Sequence, residues 1–317
     1  MFDLTKINNI PFKFAADFKL LIIINGQQTA SATFSCPYCF VTLGHLRSFQ
    51  NPTNEMIELA KLIKDDLDVE NPIRLKTYGD LRRDYEKFCL SGKNKKEGKN
   101  FHSTINPPLF NENDDIKVLQ KCVIPELHVL QGLVNHLFWH GLIPLLGEEK
   151  AMLWPKKLNV VAQNYHGYAF EGNACRKLLK EADKLNDPKI YVDVGYFSVI
   201  PYIHAYKAMN KLVDCCFTSG KRGMLINSHI NELRNALKSI GDISETLKIH
   251  VILEHVESCL QFIDNNNGLG FWSEQSGEAV HHEFLKFWSR YKLNCIEDIN
   301  YAPRLQKAVV EFSSLHI

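Results

Sequence analysis

Along most of this chain, apolar residues recur every three or four positions and polar residues fill the intervals, the pattern of helices packed on one side. Over residues 53–67, Met56, Leu59, Ala60, Ile63 and Leu67 fall on one stripe and predict an amphipathic helix. A more charged helix is predicted over 77–90. Pro125 opens a long apolar helix reaching to about residue 146, since proline fits the first helical turn. Further helices are predicted at about 169–184, 198–217, 229–240, 245–264, 273–291 and 302–315. Alternating, strand-type patterning is scarce. Residues 12–16 read as a short strand, and 189–194 are the other candidate. The apolar run 18–24 is ambiguous by periodicity; Gly26, placed as a C-terminal stop, favours a helix.

Composition is that of an ordinary globular protein, with 45% hydrophobic and 23% charged residues, so a packed core is expected. A formal charge of +1 gives no global pull toward nucleic acid, and any basic surface must come from local clustering. Residues 91–99, with Lys93, Lys95, Lys96 and Lys99, are the strongest basic run. They read as a solvated loop, with phosphate contact or nuclear import as the functional alternatives. No unbroken run of about 18 apolar residues exists, so no membrane partner is expected. The first residues lack the basic and apolar regions of a signal peptide. Nine cysteines without a regular framework then read as reduced thiols, seven of them small core residues.

Only Cys36 and Cys39 have the spacing of metal ligands, in Cys36-Pro37-Tyr38-Cys39. His250 and His255 share one predicted helix and would complete a closed Cys2His2 set. Most of the chain lies between the two pairs, so spacing alone leaves open core thiols and ordinary helix histidines. Five residues is also about 140° around a helix, so the two rings converge only through a distorted helix or inward-bent side chains. Two carboxylates stand out. Asp17 ends the predicted strand, and Glu278 lies on the polar side of the 273–291 helix beside His281 and His282. Either could help hold a catalytic divalent cation or could be an exposed acid. Tyr165-His166-Gly167 and Glu171-Gly172-Asn173 read as turns, the second feeding a helix on which Arg176 and Lys177 can reach a phosphate. Walker, nucleophile-elbow and dinucleotide-binding glycine motifs are absent, so no small-molecule cofactor is expected.

These landmarks, taken in order, resemble the catalytic core of the RAG recombinase large subunit and its Transib-type transposase relatives. Ala16-Asp17-Phe18-Lys19-Leu20 resembles the segment carrying that family's second catalytic aspartate, and Cys36 and Cys39 follow at the family's distance. His250 and His255 match its zinc histidines, including the five-residue spacing. Gly270-Phe271-Trp272 through Glu278 looks like the segment with its catalytic glutamate. Leu127-His128 and Gly172 through Leu178 are similar to segments lining its DNA-facing cleft.

The resemblance spans residues 12–315 and implies a fold: α/β but predominantly helical, an incomplete ribonuclease H-like core with a large zinc-binding helical insertion. Residues 1–26 would be the core remnant with Asp17, 27–264 the insertion, and 265–317 the returning core helices with Glu278. It also implies structural Zn²⁺ on Cys36, Cys39, His250 and His255, and catalytic Mg²⁺ or Mn²⁺ on Asp17 and Glu278. DNA would be the partner, met by His128, Arg176 and Lys177, with a homodimer implied by the resemblance alone. The location would be nuclear, or cytoplasmic if an import signal was lost with an N-terminal segment. Only sixteen residues precede Asp17, so the family's first catalytic aspartate has no counterpart. The expectation is therefore an N-terminally truncated DDE-type transposase, inactive as it stands. The alternative is a non-enzymatic, zinc-stabilised remnant that binds DNA or protein.

Overall fold

The helical periodicity is realised in a computed structural model describing residues 13–42, 73–163, 168–220, 225–241, 243–263, 267–273, 275–293 and 299–314, the side chains of 275–282 excepted. The helix predicted over 53–67 and the Tyr165-His166-Gly167 turn lie outside the described residues. The chain divides into two units, Met1–Trp272 and Ser273–Ile317. The longer helices are α1 (Phe18–Ile24), α2 (Tyr78–Leu90), α3 (Glu126–Leu137), α4 (Gly172–Lys180), α5 (Tyr196–Cys216), α6 (Ile226–Ile240), α7 (Leu247–Phe262), α8 (Gln275–Tyr291) and α9 (Tyr301–Ser314).

The ambiguous run 18–24 is a helix because both ends are specified. Asp17 is extended and its carboxylate accepts from the Leu20 amide at 2.7 Å, an N-cap. At the other end Gly26 has φ +73°, and a Cβ there would lie 2.1 Å from the Asn106 carbonyl oxygen. The strand expected just before it is reduced to one parallel bridge, Phe14 to Cys122. Among the described residues all β pairing consists of such isolated bridges, and the protein is predominantly helical.

The centre of the first unit is α3, whose Val129, Leu130, Leu133, Val134 and Leu137 are fully buried. Helices α4 and α7 pack on it. Beyond Leu137 the chain widens into a π-helical turn, Phe138–Leu142, then resumes as a short helix, Ile143–Leu146. Gly141 in that turn admits the Tyr202 ring, which a Cβ would meet at 2.5 Å. The span Glu126–Leu146 is long and apolar enough to cross a membrane by length and composition. Its apolar residues are interrupted by His128, Gln131, Asn135 and His136. Its buried side chains belong to the core of the first unit. Helices α5 and α6 form the largest helix pair, and α6 passes the packing on to α7.

Residues 189–194, read from sequence as a candidate strand, instead begin in a short helix, Pro188–Tyr191. Proline at its first position and the Asp187 side chain accepting from the Lys189 amide at 3.0 Å start a helical turn there. In the second unit α8 and α9 pack together. Phe312 meets Phe284 and Phe287 edge-on, and Trp288 meets Tyr301 at 5.3 Å.

Candidate metal centre

A tight turn, Cys36 to Cys39, presents two thiols toward one face of α7. The Tyr38 amide points at Cys36 Sγ (3.4 Å), and Cys39 bridges to Leu75 in antiparallel fashion. Helix α7 starts at an N-cap, Thr246, whose side chain accepts from the Ile249 amide at 3.3 Å. The helix is unbroken past both histidines, and the His250 amide makes its ordinary bond to the Thr246 carbonyl (2.9 Å). Convergence over five residues therefore comes from the side chains and not from a distorted backbone. The two imidazoles stand at 86° with centroids 4.9 Å apart.

His250 Nε2 lies 3.2 Å from Cys39 Sγ, and His255 Nε2 lies 3.5 Å from Cys36 Sγ. All four donor atoms fall within 4.8 Å of one another, and all four residues are buried. Zinc–sulfur and zinc–nitrogen bonds of ordinary length set sulfur and nitrogen about 3.6 Å apart at a tetrahedral ion. The observed separations match that edge, so the residues fit a single closed metal site. Two independent thiol–imidazole hydrogen bonds would not require the pairs to meet.

The electrostatics favour the same state. Burial alone would raise the Cys36 thiol, but a hydrogen bond with Cys39 and the neighbouring His255 and His250 outweigh it and hold Cys36 well below the ordinary thiol value. Burial, then the hydrogen bond and charge of Cys36, push Cys39 well up. Two adjacent sulfurs thus compete for one negative charge, the conflict that a bound divalent cation relieves. Burial would lower His250, yet Cys36 and Glu245 raise it to about 9.

Sequence reasoning missed the residues around the ligands. Glu245 Oε1 faces His250 Nδ1 at 3.5 Å, and the Tyr38 ring meets His255 edge-on at 5.7 Å. The wholly buried Lys76 donates from Nζ to the Cys36 carbonyl at 2.9 Å. Nothing in the local sequence of Lys76 marks it. Glu245 is adjacent to the Thr246 cap, which is its only local signal.

The other proposed residues are spread out. Asp17 stands half-buried at the start of α1, one carboxylate oxygen engaged as the cap. Glu278 is in the first turns of α8, in the other unit, and its side chain lies outside the described residues. The structure accordingly gives no Asp17–Glu278 geometry. His128 lies in the first turn of α3, and Arg176 and Lys177 on the neighbouring α4. The Arg176 guanidinium is paired with Glu126, a carboxylate only 1% exposed, whereas Lys177 is exposed. Arg176 is thus a link between α3 and α4 before it is anything else.

Fold and site together define a helical domain closed by a buried Cys2His2 centre that unites the beginning of the chain with a helix near its end. The chain matches no protein-family model and no curated protein sequence.

Proposed function

We propose that this chain is a zinc-stabilised helical domain of the RAG and Transib transposase type, acting on DNA in the nucleus. The observation that carries the reading is the split ligand set. Cys36, Cys39, His250 and His255 are far apart in sequence, yet their donor atoms lie within 4.8 Å. The same arrangement is what the resemblance implies for that family. Zinc would sit on the two sulfurs and two Nε2 atoms as a closed, structural centre, supplying fold stability and no open position for chemistry.

DNA contact would come from exposed cations such as Lys177, giving salt-dependent binding with little base reading. In the intact family, Mg²⁺ or Mn²⁺ on carboxylates activates the attacking oxygen and stabilises the leaving one. Here Asp17 and Glu278 would be the carboxylates concerned. A second reading, a zinc-stabilised binding protein without catalysis, is favoured by two engagements: the Asp17 carboxylate caps α1, and Arg176 is held by Glu126.

The deciding experiment is metal analysis by mass spectrometry beside DNA binding by fluorescence anisotropy. One zinc per chain, absent from a Cys36→Ser/Cys39→Ser variant, with duplex binding that weakens steeply as salt rises, supports the proposal. A folded parent without zinc, or with zinc but no affinity for DNA, overturns it. Nicking of a supercoiled plasmid on addition of Mn²⁺ would mark an active enzyme, which neither an inactive transposase nor a non-enzymatic binding protein allows.

A further inference from the structure

Lys76 is 0% exposed, an unusual position for an amine. Its stem alone could be replaced by an apolar side chain of similar length, so the buried nitrogen needs a reason. Among the described residues no carboxylate lies within ion-pair distance of it. The buried carboxylates on the neighbouring helix are committed elsewhere, Asp80 to Arg74 and Arg83 and Asp84 to His102. The side chain and backbone amide of Lys76 meet the cysteine turn and the residue after it. Its Nζ donates to the Cys36 carbonyl, its backbone amide donates to the Tyr38 carbonyl at 2.7 Å, and its amine sits 5.3 Å from the centroid of the Phe40 ring. Its own carbonyl accepts from the Val118 amide at 2.9 Å, which fastens this clamp to the core.

We propose that Lys76 is a positioning residue of the metal centre, fixing the Cys36–Cys39 turn through the Cys36 carbonyl. The inference rests on the zinc reading above. Lys76 holds the Cys36 carbonyl at the start of the turn whose Tyr38 amide faces Cys36 Sγ. Glu245 does the corresponding work for His250 from the imidazole side. The outer shell then has a donor on the backbone of the cysteine turn and a carboxylate at one imidazole. Outer partners of this kind hold first ligands in orientation and tune how firmly they bind.

The test uses the full chain loaded with Co²⁺, which reports thiolate ligation by its charge-transfer absorption. The parent is expected to show a tetrahedral cobalt–thiolate spectrum. Lys76→Met should keep its helical circular dichroism, shift that charge-transfer band, and lose metal to a chelator about tenfold faster. Lys76→Arg, which keeps charge and donors, should recover most of the parent's spectrum and rate. A folded Lys76→Met with the parent's band and release rate overturns the proposal. A parent that takes up neither Co²⁺ nor Zn²⁺ instead overturns the zinc reading on which it rests. Should Lys76→Met fail to fold, the unaltered protein decides. With lysine side-chain nitrogens labelled, one exchange-protected Nζ signal should move when Cd²⁺ replaces Zn²⁺. No lysine signal responding to that exchange overturns the proposal.

Discussion

Asp17 shows how one residue carries two claims that substitution can separate. Its carboxylate caps α1, and asparagine caps as well as aspartate does. Asp17→Asn should therefore leave stability nearly unchanged, while Asp17→Ala should cost about 1 kcal/mol in a denaturant titration. If the carboxylate also holds a cation, any Mn²⁺-dependent plasmid nicking will vanish in both variants. A cap alone predicts sensitivity only to alanine. The ligand residues were legible in the sequence as residues, because cysteine pairs and helical histidines have few other spacings to hide in. Their convergence was implied by the family resemblance and not by spacing. Ideal geometry places His250 and His255 about 140° apart, and only side-chain orientation closes the gap. Lys76 and Glu245 left no usable pattern, since their partners are distant in sequence or brought near by a helix start.

At the scale of elements, helix starts were the most readable feature and strands the least. Helix α2 begins with a reciprocal capping box: the Asp80 amide donates to Thr77 Oγ1 and the Thr77 amide to Asp80 Oδ2. The same carboxylate takes Arg74 and Arg83. Burial alone would raise Asp80, but the Arg74 bond, the Thr77 amide and both guanidinium charges hold it below the ordinary carboxylate value of 3.8. A depressed carboxylate contributes stability that is complete above 3.8 and is lost as pH falls through its folded value. Acid titration of the parent should show this loss below about pH 4, and Asp80→Asn should flatten that part of the curve. At neutral pH the variant should be less stable by about 1–2 kcal/mol, because Arg74 and Arg83 are 37% and 50% exposed and water takes up their unpaired charge. Strand signals failed because single bridges set no alternation. Of the described residues 13–16 only Phe14 pairs, and the 189–194 reading lost to an Asp-Pro helix start.

Across the first unit, the beginning of the described chain is tied to α7 in two ways. One is the Cys2His2 centre. The other is Lys13, whose Nζ donates to the Phe262 carbonyl at 2.7 Å and to the Gln120 carbonyl at 2.5 Å. Both ties close very long loops, a chain-entropy cost that grows only slowly with loop length and that the native contacts must offset. Helix α7 is also buried nearly all round, with Ile249, Val251, Ile252, Val256 and Cys259 inside the core. Loss of a metal from this centre would therefore loosen the element on which α3 and α6 pack, and the effect should not stay local. We expect a chelator to lower the thermal midpoint of the first unit by ten degrees or more, a stabilisation of about 4 kcal/mol corresponding to zinc at a thousandfold excess over its dissociation constant. Hydrogen exchange gives the test its resolution. Amides of α3 and α7 should lose protection together with those of residues 36–39 when zinc is removed, while α8 and α9, in the other unit, should keep their own rates. Loss of protection confined to residues 36–39 would mean that the core stands without the clamp, and zinc would then be an ornament of the turn instead of a support of the fold.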